Sequence, residues 1–330
     1  MNVEKAENVS TSEGQRGTYE FQLPMAVQLL ERYKLDVPTR VQRLTGGMIN
    51  DIFLIDEKYV LKVMSGNPEL MGRMEKEAGL YHLLSAKGVP VPKVYGVDTS
   101  HDLIPYDYLL MERVRGLSLD GIWSPLSPRA QFSYLEKLGY WLAKINTITF
   151  PQFGEDFKNN TFVGPSDFST YFEETVEKIV SLLRTSQVVE EGRVTRVENY
   201  LRSSALFKGD FFSSLLHGNF NHNNVLVDQG EIKGIVDWEF ARAGHSEEDI
   251  AVYLYRGLHM EQNAVSAFRK GYESVLPLDN QFAERMYIYN LLYYLRTLPY
   301  VSSWVHRPDK QREYYEETER LFQLTVEEKK

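Results

Sequence analysis

The sequence predicts an α+β molecule of two lobes, a small β-rich N-terminal lobe and a larger helical C-terminal lobe, with a ligand in the cleft between them. Apolar runs of strand length cluster between about residues 40 and 115, and helical periodicity dominates from about Pro128 onward. One late strand–turn–strand, within Leu215–Glu239, interrupts the helices. Residues 1–18 are polar and read as a mobile arm, 19–115 as the first lobe and 116–330 as the second.

Leu23–Tyr33 has the spacing of a short amphipathic helix. A strand from Val41, a Gly46-Gly47 turn and a second strand to Ile55 follow. Glycines there would let backbone N–H groups approach phosphate oxygens, although such a pair also suits a plain hairpin turn. Tyr59–Met64 is a third strand, and its Lys62 lies among apolar neighbours, where a charge needs a partner. The helix from about Glu69 to Ala86 places Leu70, Met74, Ala78, Tyr81 and Leu84 on one face with Glu77 beside them. An inward Glu77 facing an inward Lys62 is the ion pair with which kinases aim a lysine at phosphates.

Gly88–Gly96 bends the chain into another strand, and Tyr108–Val114 reads as a buried strand closed by Arg115-Gly116. Phe132, Leu135, Leu138, Leu142 and Ile145 mark the apolar face of a long core helix ending at Ile148. Pro151–Pro165 reads as a loop, Phe168–Arg184 and Arg193–Phe207 as helices, and Asp249 as the start of another. Helices near Ala264–Val275 and Gln281–Leu298 are expected to complete the domain, and the Glu-Glu-Lys-Lys ending reads as a frayed tail.

Composition narrows the function. With 43% hydrophobic and 25% charged residues, the 330-residue chain should fold as an ordinary soluble protein. It has no cysteine, which excludes disulfides, thiolate metal sites and a Cys nucleophile and suits a reducing cytoplasm. No signal peptide or run of membrane-spanning length is apparent. A net charge of −9 disfavours nucleic acid and anionic membranes as partners and would draw in a cationic small molecule, though it also simply confers solubility.

The chemistry concentrates in the late hairpin. Val225–Val227 and Ile232–Val236 are apolar, and Asp228-Gln229-Gly230 between them supplies turn residues. A hairpin joins its outer ends, so Asn224 and Asp237 should lie side by side. An amide oxygen beside a carboxylate suits a hard cation such as Mg²⁺, shared with phosphates. His217-x-Asn219, four residues and Asn224 keep the frame of the kinase catalytic loop, His-x-Asp, four residues and Asn. Asp237 then falls where the second metal-binding Asp belongs.

The whole pattern resembles the aminoglycoside phosphotransferase and choline kinase group of small-molecule kinases, whose typical form is His-Gly-Asp-Leu-His-Pro-Gly-Asn followed by Ile-Asp-Trp-Glu. Here the chain reads His217-Gly-Asn-Phe-Asn-His-Asn-Asn224 and Val236-Asp-Trp-Glu239, and Gly46-Gly47 to Asn50 resembles the group's Gly-Gly-x-x-Asn turn. The resemblance spans about residues 40–300 and implies a protein-kinase-like fold that binds ATP or GTP with Mg²⁺. It implies that Gly46, Gly47, Asn50, Lys62 and Glu77 serve the phosphates. Glu112, Arg113 and Val114 would present their main chain to the purine at the hinge. Asp249 matches an acid that braces the catalytic loop.

One position departs from the pattern: the group's catalytic Asp is Asn219. A carboxylate can accept both a hydroxyl's hydrogen bond and its proton, whereas an amide cannot act as a base at neutral pH. Three explanations follow: a deliberate replacement that traps a complex, a natural nucleotide-binding relative without efficient catalysis, or chemistry shifted by another group, with Asn221 or His222 nearby. Both of those residues otherwise read as solvated loop positions, and His217 as a brace. For the acceptor, Glu239, Glu247, Glu248, Tyr293, Tyr294, Tyr300 and Trp304 offer carboxylates and aromatic faces suited to an amine. Core packing is the competing role for the aromatics. Aminoglycosides (hence antibiotic resistance), choline-like amino alcohols and macrolides all fit as hydroxylated substrates. Two other classes compete, a kinase-shaped nucleotide-binding module and a metal hydrolase using His217, His222 and Asp237. The hydrolase lacks any His-x₃-His or His-Glu-x-x-His ligand set.

Overall fold

The computed structural model describes residues 19–44, 50–64, 72–302 and 308–327. The 1–18 arm, Gly46, Gly47, Leu70 and Trp304 lie outside the described residues. The chain divides into two compact units: Met1–Arg115 with Lys233–Glu239, and Gly116–Ile232 with Phe240–Lys330. The sequence assigns Lys233–Glu239 to the helical part, but the segment packs within the first unit.

The first unit comprises α1 (Leu23–Arg32), β1 (Val41–Leu44), β2 (Asp51–Ile55), β3 (Tyr59–Val63), α2 (Arg73–Ala86), β4 (Val94–Asp98) and β5 (Tyr108–Glu112). Its antiparallel sheet has the order β1-β2-β3-β5-β4. Strand side chains alternate between faces. Phe53, Ile55, Leu61, Val63 and Leu110 therefore share one face and pack with Leu29 and Leu30 of α1. Lys62, paired in register with Ile52 and Leu109, takes the other face. That alternation delivers a lysine into the protein interior.

The second unit is mostly helical. It begins with β6 (Leu117–Ser118), α3 (Leu119–Trp123), α4 (Pro128–Asn146), β7 (Thr149–Phe150), β8 (Asp156–Lys158) and β9 (Thr161–Val163). Next come α5 (Phe168–Ser186), α6 (Glu191–Ser203), β10 (Ser213–Leu216), β11 (Val225–Asp228) and β12 (Glu231–Ile235), the last running on into the first unit. It finishes with β13 (Arg242–Gly244), α7 (Glu247–Val252), α8 (Gln262–Glu273), α9 (Phe282–Val301) and α10 (Pro308–Phe322). Helix starts follow local chemistry: Ser127 and Asp167 cap α4 and α5 by accepting from Ala130 and Thr170 N–H, and Pro128 occupies a first-turn position that needs no donor. Gln229 and Gly230 turn the late hairpin with positive φ angles of 50° and 81°.

Several expectations fail for identifiable reasons. Phe132 is exposed on α4 rather than buried, at the periphery of the apolar stripe. Pro151–Pro165 contains the hairpin β8–β9, turned by Asn159 and Asn160, both at positive φ. Asparagine tolerates that conformation, so the pair was a readable turn signal. The helical domain does not end near Leu298, because α10 follows; its few buried apolar residues, Tyr314, Leu321 and Phe322, are diluted by charge. Among the described residues no helix is long and apolar enough to cross a membrane.

α4 and α8 meet backbone to backbone. A Cβ at Gly139 would lie 2.0 Å from the Phe268 carbonyl oxygen, and one at Gly271 would lie 1.8 Å from the Glu136 carbonyl oxygen. Neither neighbour is a flexible side chain, so the helices must separate to admit a methyl group. Gly139→Ala should destabilise the protein by about 1–3 kcal/mol despite its better helix propensity. Urea unfolding checks this; unchanged or increased stability would mean that the crossing is not close.

Candidate active site

In the first unit, the Lys62 ammonium is buried and lies 2.8 Å from Glu77, 2.9 Å from Asp237 and 3.4 Å from Glu239. Burial works against the charge, but the three carboxylates outweigh it and hold Lys62 well above the ordinary lysine range. Burial pushes the Glu239 carboxyl up, against the pull of Lys62. Three carboxylates against one ammonium leave the cluster with surplus negative charge. Asn50 donates to Glu239 at 2.8 Å, while its own buried oxygen has no hydrogen-bond partner among the described residues.

The segment carrying Asp237 is pinned along its length. The Ile235 N–H donates to the Pro90 carbonyl at 2.8 Å, and the Asp237 N–H donates to the Tyr81 hydroxyl at 3.2 Å. Tyr81 in turn donates to Glu77 at 2.9 Å, and the Trp238 N–H reaches the same carboxylate at 3.3 Å. Trp238 is fully buried. Tyr81, four residues after Glu77 on α2, thus ties the ion pair to the acid-bearing segment. Sequence reading treated it only as a core residue. Asp237 itself has φ +69°, a left-handed conformation that Asp tolerates better than most residues.

In the second unit, the loop after β10 rests on Asp249. This buried carboxylate accepts from the His217 N–H at 2.6 Å and the Gly218 N–H at 3.0 Å. Burial pushes its pKa up, while the Arg242 guanidinium opposes the shift. Gly218 has φ +77°, and a Cβ there would stand 2.2 Å from the Phe240 carbonyl oxygen, so glycine is required. His217 Nδ1 accepts from the Asn219 N–H at 3.3 Å. Asn221 Nδ2 donates to the Asn219 carbonyl at 2.9 Å and to Asn219 Oδ1 at 3.0 Å. Asn224 Nδ2 donates to that same carbonyl at 3.0 Å, which leaves the Asn224 side-chain oxygen as the atom available to a cation.

A model of the phosphotransferase enzyme family matches residues 40–279. The chain belongs to this family. A probable ketoamine kinase of Enterococcus faecium is 28% identical over 277 residues, covering 78% of this chain and 88% of the relative. The probable ketoamine kinase YniA of Escherichia coli is 28% identical over 231 residues, covering 68% and 73%. Among solved structures, a putative aminoglycoside phosphotransferase from Ralstonia eutropha has TM-score 0.72 at 16% identity, covering 93% of this chain and 98% of that one. A putative fructosamine-3-kinase from Haemophilus somnus has TM-score 0.66 at 20% identity, covering 91% and 96%. The protein-kinase-like α+β fold and the small-molecule phosphotransferase class stand on these matches.

Several candidate residues of this phosphotransferase have commitments that the sequence did not foresee. Glu239, expected to face the acceptor, is buried beside Lys62. Glu247 is spent on Arg285 through two bonds of 2.6 Å. The Tyr293 ring lies under the Arg256 guanidinium, 4.5 Å from its centroid, so that aromatic face already holds a cation from the chain itself. Glu248 pairs with Arg242 at 2.7 Å. At the expected hinge, the Glu112 and Arg113 N–H groups already donate to the Lys93 and Lys58 carbonyls. Val114 packs its side chain against Gly234.

His222 and Asn221 are not free solvated residues. The His222 ring lies tilted against the Trp123 ring, with centroids 4.3 Å apart, and its Nε2 is 2.7 Å from the Tyr253 hydroxyl. Burial pushes its pKa down to about 4. The ring therefore stays neutral in the folded protein while an unfolded histidine would titrate near 6.5, so its contribution to stability is lost as pH falls from about 6.5 towards 4. NMR titration of the ring should give a midpoint near 4. A midpoint near the ordinary histidine value of about 6.5 would show a solvated ring instead.

Proposed function

We propose that this protein transfers the terminal phosphoryl group of a purine nucleoside triphosphate, ATP or GTP, to a hydroxyl of a small hydroxylated amine, with a ketoamine-type sugar adduct as the leading acceptor. The observation that carries the nucleotide half is the buried Lys62 ammonium clamped by Glu77, since a lysine so held is fixed in direction. Support also comes from relatives, among them streptomycin–ATP and GDP complexes of aminoglycoside phosphotransferases with this fold. The relatives at 28% identity are probable ketoamine kinases, which favours that acceptor over the aminoglycosides of neighbours that share the fold at 14–19% identity. ATP as donor is consistent with a cytoplasmic enzyme.

In this reading Lys62 aims at the phosphates, and Asn50 would serve them beside it. Asn224 and Asp237 would hold Mg²⁺. Their donors fit: one amide oxygen left free by the loop's own bonding, and one carboxylate whose side chain is 33% exposed, in a cluster with surplus negative charge. When bound, Mg²⁺ supplies charge neutralisation on the phosphate oxygens. Asp249 keeps the loop rigid through two backbone N–H bonds, and His217 is an acceptor to Asn219, a brace rather than a base.

Calorimetry with ATP and Mg²⁺ should show saturable binding that Asp237→Ala weakens strongly. Mg²⁺-dependent binding unchanged in that variant would refute the metal assignment. A second reading, a nucleotide-binding module without turnover, is favoured by Asn219, whose amide takes no proton. Asn219→Asp separates the two. It should raise phosphoryl transfer to a hydroxylated amine by about 10²–10⁴-fold, the usual contribution of a general base. ATP consumption across ketoamines, aminoglycosides and choline-like amines provides the readout. A variant that binds ATP normally yet transfers to none of them would support the module.

A further inference from the structure

The orientation of the Asn219 amide is dictated by main-chain groups acting through Asn221. The Asn223 N–H donates to the Asn221 side chain at 2.9 Å, so the atom it meets must be oxygen. The Asn219 carbonyl, 2.9 Å from the other end of that amide, can only accept, so the atom there must be Nδ2. That Nδ2 is also 3.0 Å from the Asn219 side chain and needs an acceptor there, which must be Oδ1. Asn224 holds the same Asn219 carbonyl from its own amide at 3.0 Å, so the anchor of this chain of bonds is itself fixed.

We propose that Asn221 is a positioning residue that locks Asn219 with its oxygen turned into the loop and its NH₂ turned away. Position 219 then offers a hydrogen-bond donor where an aspartate would offer an acceptor. The consequence for catalysis rests on the phosphotransferase reading. A donor can hold an oxygen of the acceptor or of the phosphoryl group but takes up no proton. The acceptor's proton passes to water as its oxygen bonds to phosphorus and the bond from phosphorus to the nucleoside diphosphate breaks. Such a path is tolerable in a loose transition state, where the attacking oxygen gains little positive charge before the bond to the leaving group has largely broken.

The lock is testable without any activity. In the full chain labelled with ¹⁵N-asparagine, the Asn221 NH₂ should exchange slowly with water and the Asn219 NH₂ fast. Asn221→Asp keeps an acceptor for the Asn223 N–H but presents a second oxygen to Asn219. The Asn219 amide should turn over, and its NH₂ should become protected. Asn221→Ala, which adds no charge, should leave the Asn219 NH₂ exchanging fast. A protected Asn219 NH₂ in the unsubstituted protein, or an Asn221 NH₂ as labile as an exposed one, overturns the lock whatever the activity. Where transfer is measurable, Asn221→Ala should lower kcat about 3–10-fold, the loss of one orienting hydrogen bond, with KM for ATP little changed. A raised KM for ATP with unchanged kcat would instead mark Asn221 as a structural loop residue and overturn its positioning role.

Discussion

A lysine ammonium cannot remain buried without compensation, and much of the first unit is arranged around that constraint. Strand alternation puts Lys62 on the face opposite the apolar core, and three carboxylates gather there. Removing one partner of a buried pair typically costs about 3–5 kcal/mol, because the other charge is left stranded. Tyr81 then extends the constraint by bonding both Glu77 and the backbone of Asp237. One ammonium thereby fixes the place of an acid 175 residues further along the chain.

The second unit uses a carboxylate in the complementary way. Asp249 is buried and accepts from two consecutive backbone N–H groups, so it organises main chain rather than side chains. Such bonds to a charged acceptor are stronger than neutral ones, and they hold the loop at its start. Gly218 permits the approach, and the Asn219 carbonyl, receiving two asparagine amides, closes the loop from the other side. Rigidity here comes from satisfying the backbone.

How much of this was legible depended on how local the signal was. The Lys62–Glu77 pair could be read because both residues break apolar patterns of opposite period, one in a strand and one in a helix. The loop could be read because its spacing is short and fixed. Tyr81 could not, since a buried tyrosine at helical spacing looks the same whether or not its hydroxyl is employed. The partners of Glu239, Glu247 and Glu248, namely Lys62, Arg285 and Arg242, were not legible either, because they are chosen by tertiary packing. The aromatic surface of Tyr293 was anticipated as a cation site, and a cation is there, but it is Arg256 of the chain itself. Helix α10 escaped because its buried residues are sparse among charges.

The two units therefore differ in how they carry charge. The Lys62 cluster sets three carboxylates around one ammonium, and burial pushes the Glu239 carboxyl up. The loop from His217 to Asn224 contains no acid at all. His217 accepts a hydrogen bond at Nδ1 and so is unprotonated there, and His222 is held neutral to about pH 4 by burial. Its remaining polar side chains are amides, which do not titrate. Replacing the expected aspartate by Asn219 completes that neutrality: the loop presents dipoles whose directions are set by its own backbone. An aspartate at this position would put proton uptake and pH sensitivity into the loop. The asparagine leaves both to the carboxylate cluster and to the substrates, and asks of the loop only that its amides point the right way.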